Sequence, residues 1–275
     1  MKMYWFERDK RSDSDLIKRA NELESFGFNG VMYPYGPTMG DFFTKIARML
    51  DVKSNFEYIV AIRTYTISPQ YLSMICSSIN NISPNRISLN FLTGYVNNEE
   101  KKFGGILGEI NDHSSNIDRS NYMLDYAKEF IAVNNNGLYS PVDFFVSTTN
   151  KEVFDKCAKD QLPILIPYLR YKENWFKDVG QKIILMIAPV IDESGLAEGW
   201  QCDNGNECRH PGGENCANLD FFTKDSFFAF LDECKKNEIY GILFQESKYL
   251  KEYYSELLPI VKSYINKTSK PENLI

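Results

Sequence analysis

Residues 58–94 constrain the fold most, because they form one complete strand–helix–strand pattern. Tyr58–Arg63 is a run of mainly apolar residues without Gly or Pro, too short for a typical helix, and it indicates a strand buried on both faces. Pro69 suits the first turn of a helix, and apolar residues then recur at helical spacing as far as Ile82. A second apolar run leads to Gly94. Two parallel strands joined by a crossover helix are the repeating unit of α/β proteins.

The same alternation continues along the chain and gives eight strand–helix units. The other strands are predicted at Met3–Phe6, Gly30–Tyr33, Val142–Val146, Pro163–Ile166, Lys182–Ala188 and Tyr240–Phe244. Helical patterns separate them, including a short one at Tyr171–Val179 and a last one at Lys248–Ile265. Eight such units in 275 residues favour a (β/α)8 TIM barrel over an open sheet. We expect one domain over residues 1–267 and a flexible tail over 268–275.

Two segments interrupt the alternation. Tyr95–Asn116 is a long polar loop after the fourth strand, and loops of this length are usually functional or disordered. Asp192–Leu219 follows the seventh strand, and its potential zinc ligands are Cys202, Cys208, His210 and Cys216. Their spacing lacks the short Cys-x-x-Cys pair, and the middle two residues are cramped for two ligands. We expect no zinc site, and the alternatives are free loop thiols or a disulfide.

Composition and charge exclude several classes of partner. The chain has 31 Lys and Arg against 37 Asp and Glu, a net charge of −6 without a dense basic cluster, so we expect no nucleic-acid partner. No apolar run approaches the ~20 residues that span a bilayer, and the first residues lack the apolar core of a signal peptide. The cysteines form no Cys-x-x-Cys pair. We therefore expect a cytoplasmic protein in a reducing compartment, without a membrane partner.

The active site of such a barrel lies at the carboxyl ends of the strands. Those ends carry Tyr35, Arg63 and Asn90, and aromatic, cationic and amide groups of this kind suit a flat polar heterocycle. Asn90 is the strongest candidate, because an amide in an apolar strand must find a partner or cost on the order of 1–3 kcal/mol. The alternatives are that the aromatic residues fill the barrel and that Asn90 bonds a neighbouring barrel side chain.

A second candidate feature follows the fifth strand. Ser147, Thr148 and Thr149 precede a predicted helix, and hydroxyl groups beside a helix N-terminus suit a phosphate. The alternative is ordinary helix capping, which is common. Candidate acid–base groups are fewer, and the sequence assigns a catalytic role to none of Glu7, Asp9, Lys10, Tyr35, His113 and His210.

The segments Tyr58–Arg63, Ile67–Pro69 and Asn85–Gly94 resemble the signature of the luciferase-like flavin monooxygenases. The most similar branch is that of the alkanesulfonate monooxygenases, followed by the pyrimidine ring-opening monooxygenases. The resemblance implies an enzyme that uses reduced FMN and dioxygen on a small organic substrate, with a separate flavin reductase as partner. It also implies a homodimer or larger oligomer through the helices around strands two to four, for which Phe42, Phe43 and Met74 are candidate contacts. The alternative is a flavin-binding barrel, or a degenerate and cofactor-free luciferase-like barrel, without oxygenase activity.

The resemblance also implies cofactor-binding residues. Asn90 matches the family residue that contacts the flavin ring, and Glu99 matches one near the cofactor, although a solvated loop charge is the alternative for Glu99. Ser147 and Thr148 match the run that surrounds the phosphate. The family's Arg-Tyr pair on the helix after the long loop falls on Met123–Leu124, and Tyr122 is the nearest substitute.

The chain departs from the family at the reacting centre. The family's His, Cys, Arg-x-His, Tyr and His positions are occupied here by Lys10, Met39, Ile187–Pro189, Ser247 and Tyr249. We therefore expect no sulfonate recognition by a basic cluster at these positions.

Overall fold

The computed structural model describes residues 1–7, 13–34, 41–50, 55–93, 116–175, 180–191, 219–245 and 254–269. The strands in these ranges are β1 Lys2–Phe6, β2 Gly30–Tyr33, β3 Glu57–Arg63, β4 Ile87–Leu92, β5 Asp143–Ser147, β6 Ile164–Pro167, β7 Ile183–Ile187, β8 Pro189–Ile191, β9 Asp220–Phe222 and β10 Gly241–Gln245. The helices are α1 Asp13–Ser25, α2 Phe42–Met49, α3 Pro69–Ile82, α4 Asn116–Asn134, α5 Lys151–Lys159, α6 Tyr168–Lys172, α7 Lys224–Lys236 and α8 Tyr254–Ser269.

Eight of the strands form a closed parallel barrel in the order β1-β10-β7-β6-β5-β4-β3-β2. The central unit predicted from the sequence is present, since β3 pairs with β4 in parallel over Tyr58–Arg63 and α3 connects them. Ser68 accepts a hydrogen bond from the backbone N–H of Tyr71 and caps α3, and Pro69 opens the helix. The prediction of a (β/α)8 barrel is confirmed.

Side chains alternate between the inside and the outside of the barrel, as the period of two in a strand requires. The inward set forms a small core of its own: Tyr4, Met32, Ile59, Ala61, Phe145, Leu165, Ile184 and Leu243. The outward set, which includes Trp5, Val60, Phe91 and Phe244, packs against the helices in a much larger core. The inside is filled at mid-height, so a ligand has room only at an end of the barrel.

A polar cluster of Lys2, Tyr4 and Glu57, here called the base cluster, lies at the amino end of the barrel. The Lys2 ammonium lies 2.6 Å from one oxygen of the Glu57 carboxylate, and the Tyr4 hydroxyl donates to the other at 2.8 Å. Gly30 permits this packing, because a Cβ there would lie 2.4 Å from the backbone oxygen of Glu57. The base cluster closes one end of the barrel and leaves the carboxyl end for a site.

Two predicted helix boundaries were wrong. The short helix expected at Tyr171–Val179 is α6, which begins at Tyr168 directly after β6 and ends at Lys172. Asn174 has φ = 60°, a left-handed conformation that does not continue a helix. The last helix extends to Ser269, and the Thr268 hydroxyl donates to the backbone oxygen of Tyr264, so the first residues of the expected tail are helical. Residues 270–275 lie outside the described ranges.

A two-stranded parallel sheet, β8 with β9, was not predicted. It joins the residues on either side of the Cys-rich segment, and the backbone N–H of Ala188 donates to the Asp220 carboxylate at 3.3 Å. Three-residue strands carry too little periodic pattern to be recognised in a sequence. The Cys-rich segment itself, including Cys202, Cys208, His210 and Cys216, falls outside the described residues. None of the helices that the structure describes is long and apolar enough to cross a membrane.

Candidate active site

A cavity of about 420 Å³ opens at the carboxyl end of the barrel. This cavity is called the mouth from here on. Every barrel strand contributes to it, through Phe6, Met32, Ala61, Asn90, Ser147, Leu165, Met186 and Gln245 in order of sequence. The floor is mostly apolar. Most of the polar groups lie on the side of β3, β4, β5 and the N-terminal part of α4, and Gln245 on β10 is the exception. This is the end at which barrels of this class carry their active sites, as the sequence predicted.

Asn90 lies on the inward face of β4 and lines the cavity, with 0% of its surface exposed to solvent. Its side-chain oxygen accepts a hydrogen bond of 2.8 Å from the Ser147 hydroxyl. Its side-chain nitrogen lies 3.8 Å from the Met32 sulfur, which is a weak acceptor. Asn90 therefore bonds barrel neighbours, which was one of the two alternatives for it, and it also lines the cavity. Its contact with a flavin stays a prediction.

The turn between β5 and α5 forms one polar wall of the cavity, from Ser147 to Asn150. Asn150 is the N-cap of α5, and its side-chain oxygen accepts from the backbone N–H groups of Glu152 at 2.8 Å and Val153 at 3.3 Å. The Thr148 hydroxyl accepts from the backbone N–H of Asn150 at 3.0 Å. The predicted phosphate-binding residues Ser147 and Thr148 therefore line the cavity. Each already makes a hydrogen bond within the protein, Ser147 to the Asn90 side chain and Thr148 to the backbone of Asn150.

Two arginines line the same cavity. Arg63, a predicted site residue, ends β3, and Arg119 lies near the start of α4. The described lining residues include these two cations and no carboxylate, so together they carry a net positive charge. An arginine presents a planar fork of donors that matches a phosphate or carboxylate. The cavity is therefore electrostatically suited to an anionic group.

Arg119 and its neighbour Ser120 were not predicted from the sequence. The resemblance placed the cofactor-binding pair at Met123–Leu124, but both of these side chains are buried in the core around the barrel. Arg119 precedes Met123 by about one helical turn. Polar residues near the N-terminus of α4 were the signal that could have identified it.

Tyr122 does not lie with the other predicted site residues. It is 37% exposed and lines a separate groove formed by the segment after β3 and by one face of α4. Tyr35 and Glu99 fall outside the described residues, as do Asp9, Lys10, Met39, His113, His210, Ser247 and Tyr249. Their predicted roles stay predictions.

Glu7, a candidate acid–base group, is not among the residues that line the cavity. It is 1% exposed, and its carboxylate lies 3.6 Å from the Nε atom of Arg19. The Arg19 guanidinium in turn lies over the Trp5 ring, 4.9 Å from its centroid. This ion pair, of which Glu7 is the buried member, connects α1 to the residue that follows β1.

The buried cysteines that the structure describes do not line the cavity and take no part in its chemistry. Cys76, Cys157 and Cys234 are free thiols packed in the helix layer. Burial raises the pKa of Cys157 to about 12 and raises the pKa values of the other two thiols as well. Because the thiolate is the reactive form, these side chains act as small apolar residues.

No family model matches the chain. Similar solved structures include a long-chain alkane monooxygenase, with 10% identity and a TM-score of 0.66 over 97% of this chain and 91% of that one. The coenzyme F420-dependent tetrahydromethanopterin reductase of Methanopyrus kandleri has 8% identity and a TM-score of 0.67 over 98% of this chain and 99% of that one.

A third similar structure is the oxygenating constituent of 3,6-diketocamphane monooxygenase from Pseudomonas putida, a type II Baeyer–Villiger enzyme in complex with FMN. It has 11% identity and a TM-score of 0.58 over 100% of this chain and 99% of that one. At such identities the likeness establishes the architecture, whereas activity does not follow from fold alone. The chain thus shares the closed (β/α)8 barrel architecture of these three enzymes, the fold class that the sequence predicted.

Proposed function

We propose that the protein is a monooxygenase that uses reduced FMN and dioxygen to oxidise a small organic substrate. The observation that carries the proposal is the composition of the mouth, where an apolar floor adjoins a wall of amide, hydroxyl and guanidinium groups. FMN has the matching distribution of chemistry, with a flat ring at one end and a phosphate at the other. The barrel fold shared with the FMN complex described above supports the same assignment.

The residues of the cavity divide into two groups by what they would hold. Met32, Ala61 and Leu165 offer apolar contact to a ring, and Asn90 offers a hydrogen bond at its edge. Arg119 and the turn from Ser147 to Asn150 form the wall that suits the phosphate. The buried amide nitrogen of Asn90, whose described acceptor is only a thioether, is the structural sign that an acceptor belongs at the floor.

Reduced FMN, when bound, supplies the activation of oxygen. The work left to the chain is to bind and orient the ring and to exclude water, and the largely buried floor residues are suited to that work. The chain has no Gly-x-Gly-x-x-Gly motif for a nicotinamide cofactor of its own. A separate flavin reductase is therefore the proposed source of the reduced cofactor.

A second candidate function is flavin binding without oxygenase activity. One observation favours it: the described residues of the cavity include no histidine, cysteine, tyrosine, lysine or carboxylate. A reaction that needs a proton donor or acceptor from the described wall would find only hydroxyl, amide and guanidinium groups there. Binding and turnover must therefore be measured separately.

Anaerobic titration with reduced FMN tests the proposal. We expect saturable binding, followed after exposure to oxygen by consumption of dioxygen and by a product that carries one added oxygen atom. Binding of FMN without any oxygenated product from a panel of small organic substrates would favour the second function. Absence of binding by both oxidised and reduced FMN would exclude both.

The proposed assembly is a homodimer through the exposed face of α3. Tyr71, Met74 and Ile82 lie on one face of that helix and are exposed. Phe42, which the sequence offered for this contact, is buried against the core instead, and Phe43 packs partly against it. Sedimentation velocity of the wild type and of Met74→Glu tests the assembly, and a wild type that stays monomeric at micromolar concentration would exclude it.

A further inference from the structure

We infer that Ser147 is a positioning residue, which fixes the amide of Asn90 with its nitrogen as the group offered to the ligand. The floor of the mouth then presents a hydrogen-bond donor, and the ligand must place an acceptor there, such as a carbonyl oxygen or an unprotonated ring nitrogen. The inference rests on the proposed function, because it names the kind of ring edge that the proposed flavin site accepts.

The pair is built into the barrel. Asn90 on β4 stands opposite Phe145 on β5, and Ser147 lies two residues farther along β5 on the same inward face. The two side chains therefore meet diagonally across the strands, and the hydroxyl oxygen of Ser147 lies 2.8 Å from the side-chain oxygen of Asn90. Asn90 is fully buried and Ser147 is half-buried, so solvent can compete for this hydrogen bond only on the Ser147 side.

The orientation of the amide follows from the groups on its two sides. With the oxygen toward Ser147, the hydroxyl donates to it and the amide nitrogen faces the Met32 sulfur at 3.8 Å. The reversed amide would bring its oxygen against the sulfur, which places two acceptors together. The Met32 sulfur thus sets the orientation of the amide, and the Ser147 hydroxyl, which could donate or accept, donates to the amide oxygen and holds the side chain in place with its nitrogen as the donor.

The amide nitrogen carries two hydrogens, and the described part of the chain offers it one weak acceptor. A buried donor in this situation is unfavourable in the empty site, and an acceptor on the ligand removes that penalty. The amide therefore favours ligands with an acceptor edge over isosteric ligands with a donor at that position. The ring system of a flavin carries carbonyl oxygens that meet this requirement.

A competing role for Ser147 is a direct contact with the phosphate, as the resemblance implies. The two roles differ in their dependence on the phosphate itself. Riboflavin has the same ring system as FMN but no phosphate. Removing a residue that acts through Asn90 lowers the affinity for both ligands equally, whereas removing a residue that binds the phosphate lowers the affinity for FMN alone.

The experiment measures the dissociation constants of FMN and riboflavin for the wild type, Ser147→Ala, Ser147→Thr and Arg119→Gln. We expect Ser147→Ala to weaken both ligands by the same factor of about five to ten. Ser147→Thr keeps the hydroxyl and should stay within about twofold of the wild type for both. Arg119→Gln is the reference for a phosphate contact, and it should weaken the binding of FMN but not that of riboflavin. Thermal unfolding of each variant checks that it is folded.

A double-mutant cycle with Asn90→Ala completes the test. If Ser147 acts through Asn90, adding Ser147→Ala to Asn90→Ala leaves the dissociation constants unchanged. Additive losses, or a loss confined to FMN, would overturn the inference while the proposed function stands. A wild type that binds neither ligand would overturn the proposed function, and this inference with it.

Discussion

The two ends of the barrel use polar side chains in opposite ways. At the amino end, Lys2 and Tyr4 both donate to the carboxylate of Glu57, so the charged and hydroxyl groups of the base cluster satisfy one another. At the carboxyl end, the amide nitrogen of Asn90 faces a thioether, and Arg119 lines a cavity. Polar groups that satisfy one another stabilise the fold, whereas the amide nitrogen of Asn90, which has one weak acceptor among the described residues, can gain a better acceptor from a ligand.

The largest effect is expected from breaking the base cluster. Glu57→Leu removes the shared acceptor and leaves the Tyr4 hydroxyl, which is buried, and the Lys2 ammonium without it. We expect the free energy of unfolding to fall by about 3 kcal/mol, because a buried donor loses its partner and a partly buried charge loses its counter-charge. Urea unfolding followed by circular dichroism measures the change.

Glu24→Leu is the matched control, because Glu24 is an exposed glutamate on α1 and its loss should change stability by less than about 0.5 kcal/mol. FMN affinity should stay within about twofold for Glu57→Leu while the protein remains folded, because the base cluster lies at the opposite end of the barrel. A large loss of affinity in the folded variant would show that the two ends are coupled, and the comparison would fail.

The second effect concerns the mouth. Arg119→Gln removes one positive charge from the cavity wall, and we expect FMN to bind about twentyfold more weakly, because a charge-assisted contact with the phosphate is lost. Lys128→Gln is the control, since it removes the same charge from the same helix at a position where Lys128 pairs with Asp160. Fluorescence titration of both variants should separate them by at least about tenfold. Equal losses would indicate a general effect of charge.

Much of the barrel could be predicted from local patterns. The strand Gly30–Tyr33 was predicted with the boundaries that the structure shows, because a short apolar run between two polar segments is typical of a buried strand. The short helix α6 was placed too far along the chain, because it starts at a proline with extended backbone and not at a polar cap. The sheet of β8 and β9 was missed, because three-residue strands depend on contacts between segments distant in sequence.

The candidate site was predictable only in its strand residues. Arg63, Asn90 and Ser147 line the cavity because strand ends in a barrel have a fixed direction, which the alternation of side chains reveals. Arg119 was missed because its direction depends on the rotation of α4 about its own axis. One helical turn separates it from the position that the resemblance indicated, and packing of Met123 into the core decides which turn faces the mouth.

The third effect is a dependence of the base cluster on alkaline pH. Burial, and then the Glu57 carboxylate, raise the pKa of Tyr4 above its usual range. Burial lowers the pKa of Lys2, but hydrogen bonds to Glu57 and Tyr240 outweigh it, so this pKa is also raised. Both groups hold their protons more tightly in the folded state, so their stabilisation is complete below about pH 10 and is lost as the pH rises further.

Tyr4→Phe tests this dependence. Above pH 10 the free energy of unfolding of the wild type should fall by up to about 1.4 kcal/mol per pH unit for each of the two groups. The variant lacks the Tyr4 proton, so its free energy of unfolding should fall less steeply by the contribution of that one group. Tyr71→Phe, at an exposed tyrosine on α3, should keep the wild-type slope. Urea unfolding between pH 8 and pH 11 measures the slopes. Identical slopes for Tyr4→Phe and the wild type would contradict the assignment.

The smallest change in folding free energy is expected at the mouth, from Asn90→Leu. Leucine has a similar volume, and it removes a buried amide whose nitrogen has only a thioether as acceptor, which favours the folded state. Ser147, at the half-buried edge of the cavity, loses its acceptor, which disfavours the folded state. These terms oppose each other, so the free energy of unfolding should change by less than about 1 kcal/mol, in contrast to the loss from Glu57→Leu. A loss of about 2 kcal/mol or more in urea unfolding would make Asn90 a structural residue like Glu57. The polar groups of the mouth would then satisfy one another, as those of the base cluster do, and they would no longer indicate a ligand site.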